Sequence, residues 1–413
     1  RNDSGEDMIY KKEKENFKDK NLLVISPHFL TFIKDQITCL AKQFNEIKVI
    51  VPLTHSAPMF LQRLSKQSRT HSRLIDSIDI PQNVKLWPLE NMIMPLIGNL
   101  NQYFIFRSID KLIQKENLEF DLIHAHFTWP AGYIGAKLKE KYGVPLVVTA
   151  HGYDIYDLPF RDSYWQNKIR NILDSADYII TVSNKNLDYV KKLKLKTRTK
   201  VIPNGFDEKL FHPKDKGECG RKLDLPSEKK IILTVGNLVE AKGQKYLIEA
   251  IKKLIEKRRD VLVVIIGSGI LKQELENLIV DLNLEDYVRL LGGKPRNEIP
   301  FWINACDVFV LSSLNEGNPT VMFECIGCGK PFVGTKVGGI PEIISSKDYG
   351  LLCEAENSEQ LVEKILISLD KKWNEKNILN HAKQFIWEKL AEEILHVYVQ
   401  AEIEAKNRFF HEI

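Results

Sequence analysis

From residue 21 onward the chain alternates short apolar runs with amphipathic stretches, and it does so twice over. NLLVISP (21–27), IKVIVPL (47–53), NVKLWPL (83–89), DLIHAHF (121–127), PLVVTAHG (145–152), YIITVS (178–183) and KVIPNG (200–205) read as strands of a first domain. IILTVGNL (231–238), VLVVIIGSG (261–269), VRLLGG (288–293), VFVLSS (308–313) and PFVGTKVGG (331–339) repeat the pattern. Between them lie stretches such as LKQELENLIVDLNL (271–284), whose apolar residues recur at helical spacing. This alternation predicts parallel sheets flanked by helices. A chain of 413 residues has room for two such doubly wound α/β domains, each with a full core. Ligands are then expected in the cleft at the carboxyl ends of the strands. The expected division is a charged tail over 1–20, a first domain over 21–204, a second over 205–384, and a hinge near 203–213.

Composition narrows the partners. No run of eighteen apolar residues occurs, and the start carries no charged-then-apolar leader pattern, so a cytoplasmic protein is expected. A net charge of +4 is too small to imply nucleic acid. It is unevenly spread: KKLKLKTRTK (191–200) holds six basic residues and no acid, and Arg63, Lys66, Arg69 and Arg73 form a second run. Such runs serve as solvated faces or meet a phosphorylated acceptor or an anionic membrane. WPLENMIMPLIGNLNQYFIF (87–106) carries one charge, Glu90, and is broken by Pro95 and Gly98. It reads either as a core connection or as an exposed apolar lip for peripheral membrane contact. Six scattered cysteines read as reduced core residues, and the Cys325/Cys328 pair, with no second pair, as structural filler.

The chemistry concentrates in LSSLNEGNPTVMFECIGCGKP (311–331). VFVLSS reads as a buried strand, and Pro319 fits the first turn of the helix that follows. Backbone N–H groups over Gly317, Asn318 and Thr320, with the positive end of the helix dipole, make an anion site that requires no metal. Glu316 and Glu324 flank that anion and suit sugar and ribose hydroxyls. The alternative is a plain corner with two solvated glutamates. No Asp-x-Asp occurs in the chain, so the metal-dependent way of holding a sugar nucleotide has no visible ligands.

This pair, followed by Gly-Lys-Pro (329–331) and VGGIPEII (337–344), resembles the signature of retaining glycosyltransferases of family 4, which have the GT-B fold of two Rossmann-like domains. GNLVEAKG (236–243), HAHFTWPAGY (124–133), TAHGYDIYD (149–157), TVSNKNLDYV (181–190) and VIPNGFD (201–207) match in the family's order, so the resemblance covers roughly residues 20 to 400. It implies that Lys242 binds the donor diphosphate, Glu316 orients the donor sugar, Glu324 holds the ribose and His151 meets the donor at the reacting centre. The C-terminal segment 385–413 would cross back to complete the first domain. Asn237 stands where the family has an arginine and cannot reproduce its charged fork, so Lys294 or Arg296 becomes a candidate second cation. The loop after the first strand, SPHFLTFIKDQ (26–36), lacks the family's paired glycines, and acceptor contacts do not carry over there. Asn204-Gly205 reads as a hinge turn, Ser183 as a helix cap, GSG (267–269) as a tight turn, and His124 and His126 as packing and cleft lining.

The implied reaction moves a sugar from a nucleotide-sugar, a UDP-sugar, to a glycan or lipid-linked acceptor with retention and no metal cofactor. A sugar-nucleotide-binding protein with little turnover, or a GT-B nucleotide-sugar epimerase, is the alternative.

Overall fold

The computed structural model describes residues 16–55, 79–92 and 100–411. The basic run at 63–73 and the middle of the 87–106 segment lie outside the described residues. The chain divides into two compact units, Arg1–Pro203 with Glu388–Ile413, and Asn204–Trp387.

The first unit carries β1 (Asn21–Ile25), β2 (Glu46–His55), β3 (Val84–Met92), β4 (Leu122–His126), β5 (Leu146–Ala150), β6 (Tyr178–Thr181) and β7 (Thr199–Val201). They form one parallel sheet in the order β3-β2-β1-β4-β5-β6-β7. The second unit carries β8 (Lys230–Val235), β9 (Val261–Ile266), β10 (Val288–Gly292), β11 (Val308–Leu311), β12 (Phe332–Thr335) and β13 (Gly350–Cys353), ordered β10-β9-β8-β11-β12-β13 and again parallel. Each sheet reverses direction beside its first strand, between β1 and β4 and between β8 and β11. Ligands of such sheets gather at that switch point, off the carboxyl ends of the strands.

The strands read as unbroken apolar runs because helices cover both faces of each sheet. β9 shows how one run feeds two cores: Leu262, Val264 and Ile266 enter one cluster and Val261, Val263 and Ile265 the other. All six are buried, and each side chain contributes about 1.5–3 kcal/mol through removal from water. The edge strand β13 escaped the sequence reading, since four residues, GLLC, carry too little pattern.

Order begins before residue 21. Asn16–Asp19 make a 3-10 turn, and Phe17, fully buried, packs 5.1 Å from the Phe44 ring and 6.2 Å from Tyr398. Tyr398 belongs to the long helix Trp387–His411, which is held to the first unit by Lys20–Glu402 at 2.6 Å, Lys200–Glu393 at 3.1 Å and Arg198–Glu404 at 3.1 Å. Two charges of the 191–200 run are therefore spent on structure, while Lys191, Lys192, Lys194 and Lys196 stay exposed. The segment before that helix is stitched into the second unit, where Phe206 donates to Phe385 O and accepts from Trp387 N.

Of the 87–106 segment, Trp87 packs on the core and Ile105 and Phe106 are buried, whereas Tyr103 and Phe104 are exposed on the helix Leu100–Lys115. No described helix is long and apolar enough to cross a membrane. The six cysteines are free thiols. Cys325 and Cys328 are buried in and just after the helix Thr320–Gly327, and burial pushes both thiols up, away from the reactive thiolate.

A polar thread crosses the first unit's core. His124 reaches Tyr398 Oη through Nδ1 and Thr149 Oγ1 through Nε2, both at 2.7 Å. Burial pushes His124 down to about 3 and His28 to about 4, and holds His126 and His151 well below the ordinary imidazole value. All four are depressed in the folded state, so below the unfolded value near 6.5 the unfolded chain binds more protons. Their stability contribution is complete above about 6.5 and is lost as pH falls towards the folded values, at about 1.4 kcal/mol per group per pH unit. Urea midpoints measured from pH 7.5 to 5 should therefore fall steadily below 6.5. A flat profile to pH 5 would contradict the buried neutral histidines.

Candidate active site

Two side-chain sets stand at the carboxyl ends of the two sheets. In the second unit the chain leaves β8 into Gly236–Gly243 and leaves β11 into Ser312–Pro319, on either side of the switch point. The two loops are sewn together. Leu314 N donates to Ala241 O at 2.8 Å, and Ser312 Oγ donates to Gly243 O at 2.9 Å. Gly243 adopts φ +57°, and a Cβ there would stand 2.2 Å from Ser312 O, so only glycine lets the loops meet. The GSG segment serves the same approach, because a Cβ on Gly267 or Gly269 would strike the backbone of Gly236 or Leu238.

This stitching brings Lys242 Nζ to 2.6 Å from Glu316 Oε1. Ser313 Oγ donates to the same carboxylate oxygen at 2.7 Å, and Ser313 O in turn accepts from Thr335 Oγ1 at 2.5 Å. Glu316 is 7 % exposed and its main chain is backed by Gly338, at φ +52°, where a Cβ would stand 1.7 Å from Glu316 O. Gly339 N donates to Gly317 O at 2.9 Å. Glu324 is 6 % exposed. The reading of a corner with two solvated glutamates is thereby overturned. A buried carboxylate bonded by an ammonium and a hydroxyl is held in one orientation by charge-assisted hydrogen bonds.

Pro319 lies one residue earlier than the sequence suggests. It precedes the helix as its N-cap, at φ −71° and ψ 119°, and Thr320 opens the helix. With Pro319 extended, the amides of Thr320 and Val321 open the helix without an i−4 partner, while Met322 N donates to Pro319 O at 3.2 Å. Asn318 is buried and tied to Asn204, whose N–H donates to Asn318 Oδ1 and whose Nδ2 donates to Asn318 O, each at 2.8 Å. Asn204 is thus more than a turn residue: it fixes the loop that precedes the helix. Asn237 is exposed, with its carbonyl accepting from Gln244 Nε2 at 2.9 Å. The Lys294 ammonium lies 5.9 Å from the Trp302 ring and the Arg296 guanidinium 5.7 Å from the Phe211 ring.

In the first unit His151 follows β5. Its Nε2 lies 3.0 Å from Nδ1 of His126, the last residue of β4, with the two rings stacked at 5.3 Å. Phe127 and Phe32 close around it at 4.5 Å and 5.0 Å. Asp154 does not point outward. Its Oδ1 accepts from His151 N at 3.1 Å and Gly152 N at 2.8 Å, and its Oδ2 from Thr128 N at 2.7 Å. It fastens the ends of β4 and β5 to each other and so sets where His151 stands. Burial raises the Asp154 carboxyl, and these backbone bonds oppose the rise. Ser183 caps its helix by accepting from Asn186 N at 3.1 Å. Among the described residues no group of three histidines, cysteines or carboxylates is placed to hold a metal.

Three contributors were not singled out from sequence: Ser313, Asn204's partnership with Asn318, and the His126–His151 contact. The last had a visible signal, since residues two apart on a strand share a face and His126 ends a strand adjacent to the one leading into His151.

Comparison with known proteins gives the family. The model for Glycosyltransferase Family 4 matches residues 31–210, and that for Glycosyl transferases group 1 matches residues 215–385. A glycosyltransferase of Methanocaldococcus jannaschii is 33 % identical over 308 residues, 72 % of this chain and 79 % of that protein. Among solved structures, sucrose-phosphate synthase from Thermosynechococcus elongatus superposes with a TM-score of 0.74 at 20 % identity, covering 96 % of this chain and all of the other. Anabaena HepE in complex with UDP and glucose superposes with a TM-score of 0.71 at 23 % identity, over 91 % and 98 %. With both family models matched in order on two Rossmann-like units, the chain belongs to glycosyltransferase family 4 and is a glycosyltransferase of the GT-B fold.

Proposed function

We propose that this glycosyltransferase takes its sugar from a UDP-sugar and passes it, with retention and without a metal, to a glycan or lipid-linked acceptor. The observation that carries the reading is the Lys242–Glu316–Ser313 cluster beside the helix start at Thr320. Lys242 has a carboxylate as partner; a diphosphate is a stronger anion and would compete for the same ammonium. Binding would then free Glu316 to take hydroxyls of the donor sugar, while Glu324 takes the ribose. The amides of Gly317, Asn318 and Thr320, with Lys242, offset the charge on the departing diphosphate. The C1–phosphate bond breaks, the acceptor oxygen bonds C1 from the same face, and its proton leaves with the nucleoside diphosphate. UDP in the HepE structure supports the choice of nucleotide.

Two substitutions separate the roles. Glu316→Gln should lower turnover on the order of a hundredfold yet keep or strengthen stabilisation by UDP, because Lys242 loses its competing partner. Lys242→Gln should lose most of that stabilisation, which for the wild type is about 2.7 kcal/mol at a hundredfold excess over Kd. Equal UDP stabilisation in Lys242→Gln and wild type would remove the lysine from the diphosphate site. Donor binding without product in the wild type would instead favour the binding-protein reading suggested by Asn237.

The sequence lacks Asp-x-Asp, and Lys242 with the helix start supplies positive charge, so turnover should survive EDTA. Loss of activity under chelation, restored by magnesium or manganese, would sink the metal-independent account.

We further propose that it works on the cytoplasmic face of a membrane, in peripheral contact. Exposed Tyr103 and Phe104 and the exposed lysines of 191–196 support this, as aromatic and basic side chains suit an anionic interface. Co-sedimentation with liposomes should require anionic lipid and fade with salt, since screening acts over about 10 Å at 0.1 M. Absence of binding at low salt would leave a soluble acceptor.

A further inference from the structure

His126 is 0 % exposed and His151 8 %. Their contact at 3.0 Å holds a single proton, because both rings are neutral and only one of the two facing nitrogens carries hydrogen. The outward nitrogens, His126 Nε2 and His151 Nδ1, are buried and have no hydrogen-bond partner among the described residues. The shared proton therefore decides what each outward nitrogen is. If His151 donates through Nε2–H, His126 must carry its own hydrogen on Nε2, leaving an N–H without a partner on the fully buried ring. If His126 donates through Nδ1–H, the unpaired hydrogen moves to Nδ1 of His151, at the end of the strand, and His126 is left with only a lone pair unmet. Each arrangement leaves one N–H and one lone pair unmet; the second moves the orphan N–H, the costlier to bury, from the fully buried His126 to His151, the less deeply buried ring.

The geometry points to His126 as a positioning residue: by donating Nδ1–H to His151 Nε2 it fixes His151 as the Nδ1–H tautomer, which offers one hydrogen-bond donor to an oxygen of the bound sugar nucleotide. This rests on the reading of His151 as the residue that meets the donor. The surroundings favour a fixed neutral donor over a titrating one. His28 and His124 are neutral neighbours, Asp154 is turned to backbone N–H groups, and the rings of Phe32 and Phe127 pack beside the imidazole. A histidine in such a place acts through which nitrogen holds hydrogen, set by its partner.

The test uses the full chain labelled with 15N-histidine, with tautomers read from long-range 1H–15N correlations, together with steady-state kinetics. In the wild type His151 and His126 should both carry hydrogen on Nδ1; hydrogen on His151 Nε2 overturns the proposal without any variant. An asparagine amide reaches where His126 Nδ1 stands, whereas glutamine places its amide one bond too far. His126→Gln should thus lower kcat about tenfold with donor KM little changed, and should release His151 into a mixture of tautomers. His126→Asn should restore both the single tautomer and most of the rate. Folded variants in which asparagine is no better than glutamine would refute the positioning role. If the tautomers behave as stated while kcat is untouched by both variants and by His151→Ala, the hydrogen bond stands, but His151 does not meet the donor and the proposal falls with that reading.

Discussion

Lys242 and Glu316 lie 74 residues apart in sequence and 2.6 Å apart in space, and much of the second unit exists to make that so. The pair spans the point where the sheet reverses, where two loops diverge from adjacent parallel strands and leave room above the strand ends. Bringing them back into contact requires backbone to approach backbone at Gly243 and Gly338, positions where any side chain would overlap a carbonyl. Hydrogen bonds from Ser312, Ser313 and Thr335 then remove the remaining freedom. A buried carboxylate left alone would be costly, so the ammonium is also a condition for Glu316 to sit where it does.

The repeated strand and helix pattern made the architecture legible, because parallel strands covered on both faces are written as continuous apolar runs, as in VLVVII of β9. β13 lacked the length to show. Glu316, Glu324 and Lys242 were legible as residues but not as neighbours: nothing local in GNLVEAKG or LNEGNPT says that the lysine of one touches the glutamate of the other. That contact comes from strand order, which fixes adjacency only once the sheet is assembled. Pro319 shows the limit of local rules, since proline is compatible both with the first helical turn and with the extended residue before it, and packing of the loop against Asn204 goes with the latter. The basic run 191–200 read as one feature and divided into two, since strand β7 carries Lys200 towards the last helix and leaves the preceding lysines in water.

Burial in the two units is used for opposite ends. In the second, a buried carboxylate is met by an ammonium and a hydroxyl. In the first, four imidazoles are kept uncharged because burial removes the water that an imidazolium needs. A neutral ring contributes direction rather than charge: one nitrogen gives hydrogen, the other takes it, and a neighbour decides which. The carboxylate that would ordinarily orient such a ring, Asp154, is engaged with backbone N–H groups instead, so the ring's proton must be set by another histidine. Because these rings are neutral when folded and take up protons on unfolding, acid should act on the first unit through its stability before it charges the rings.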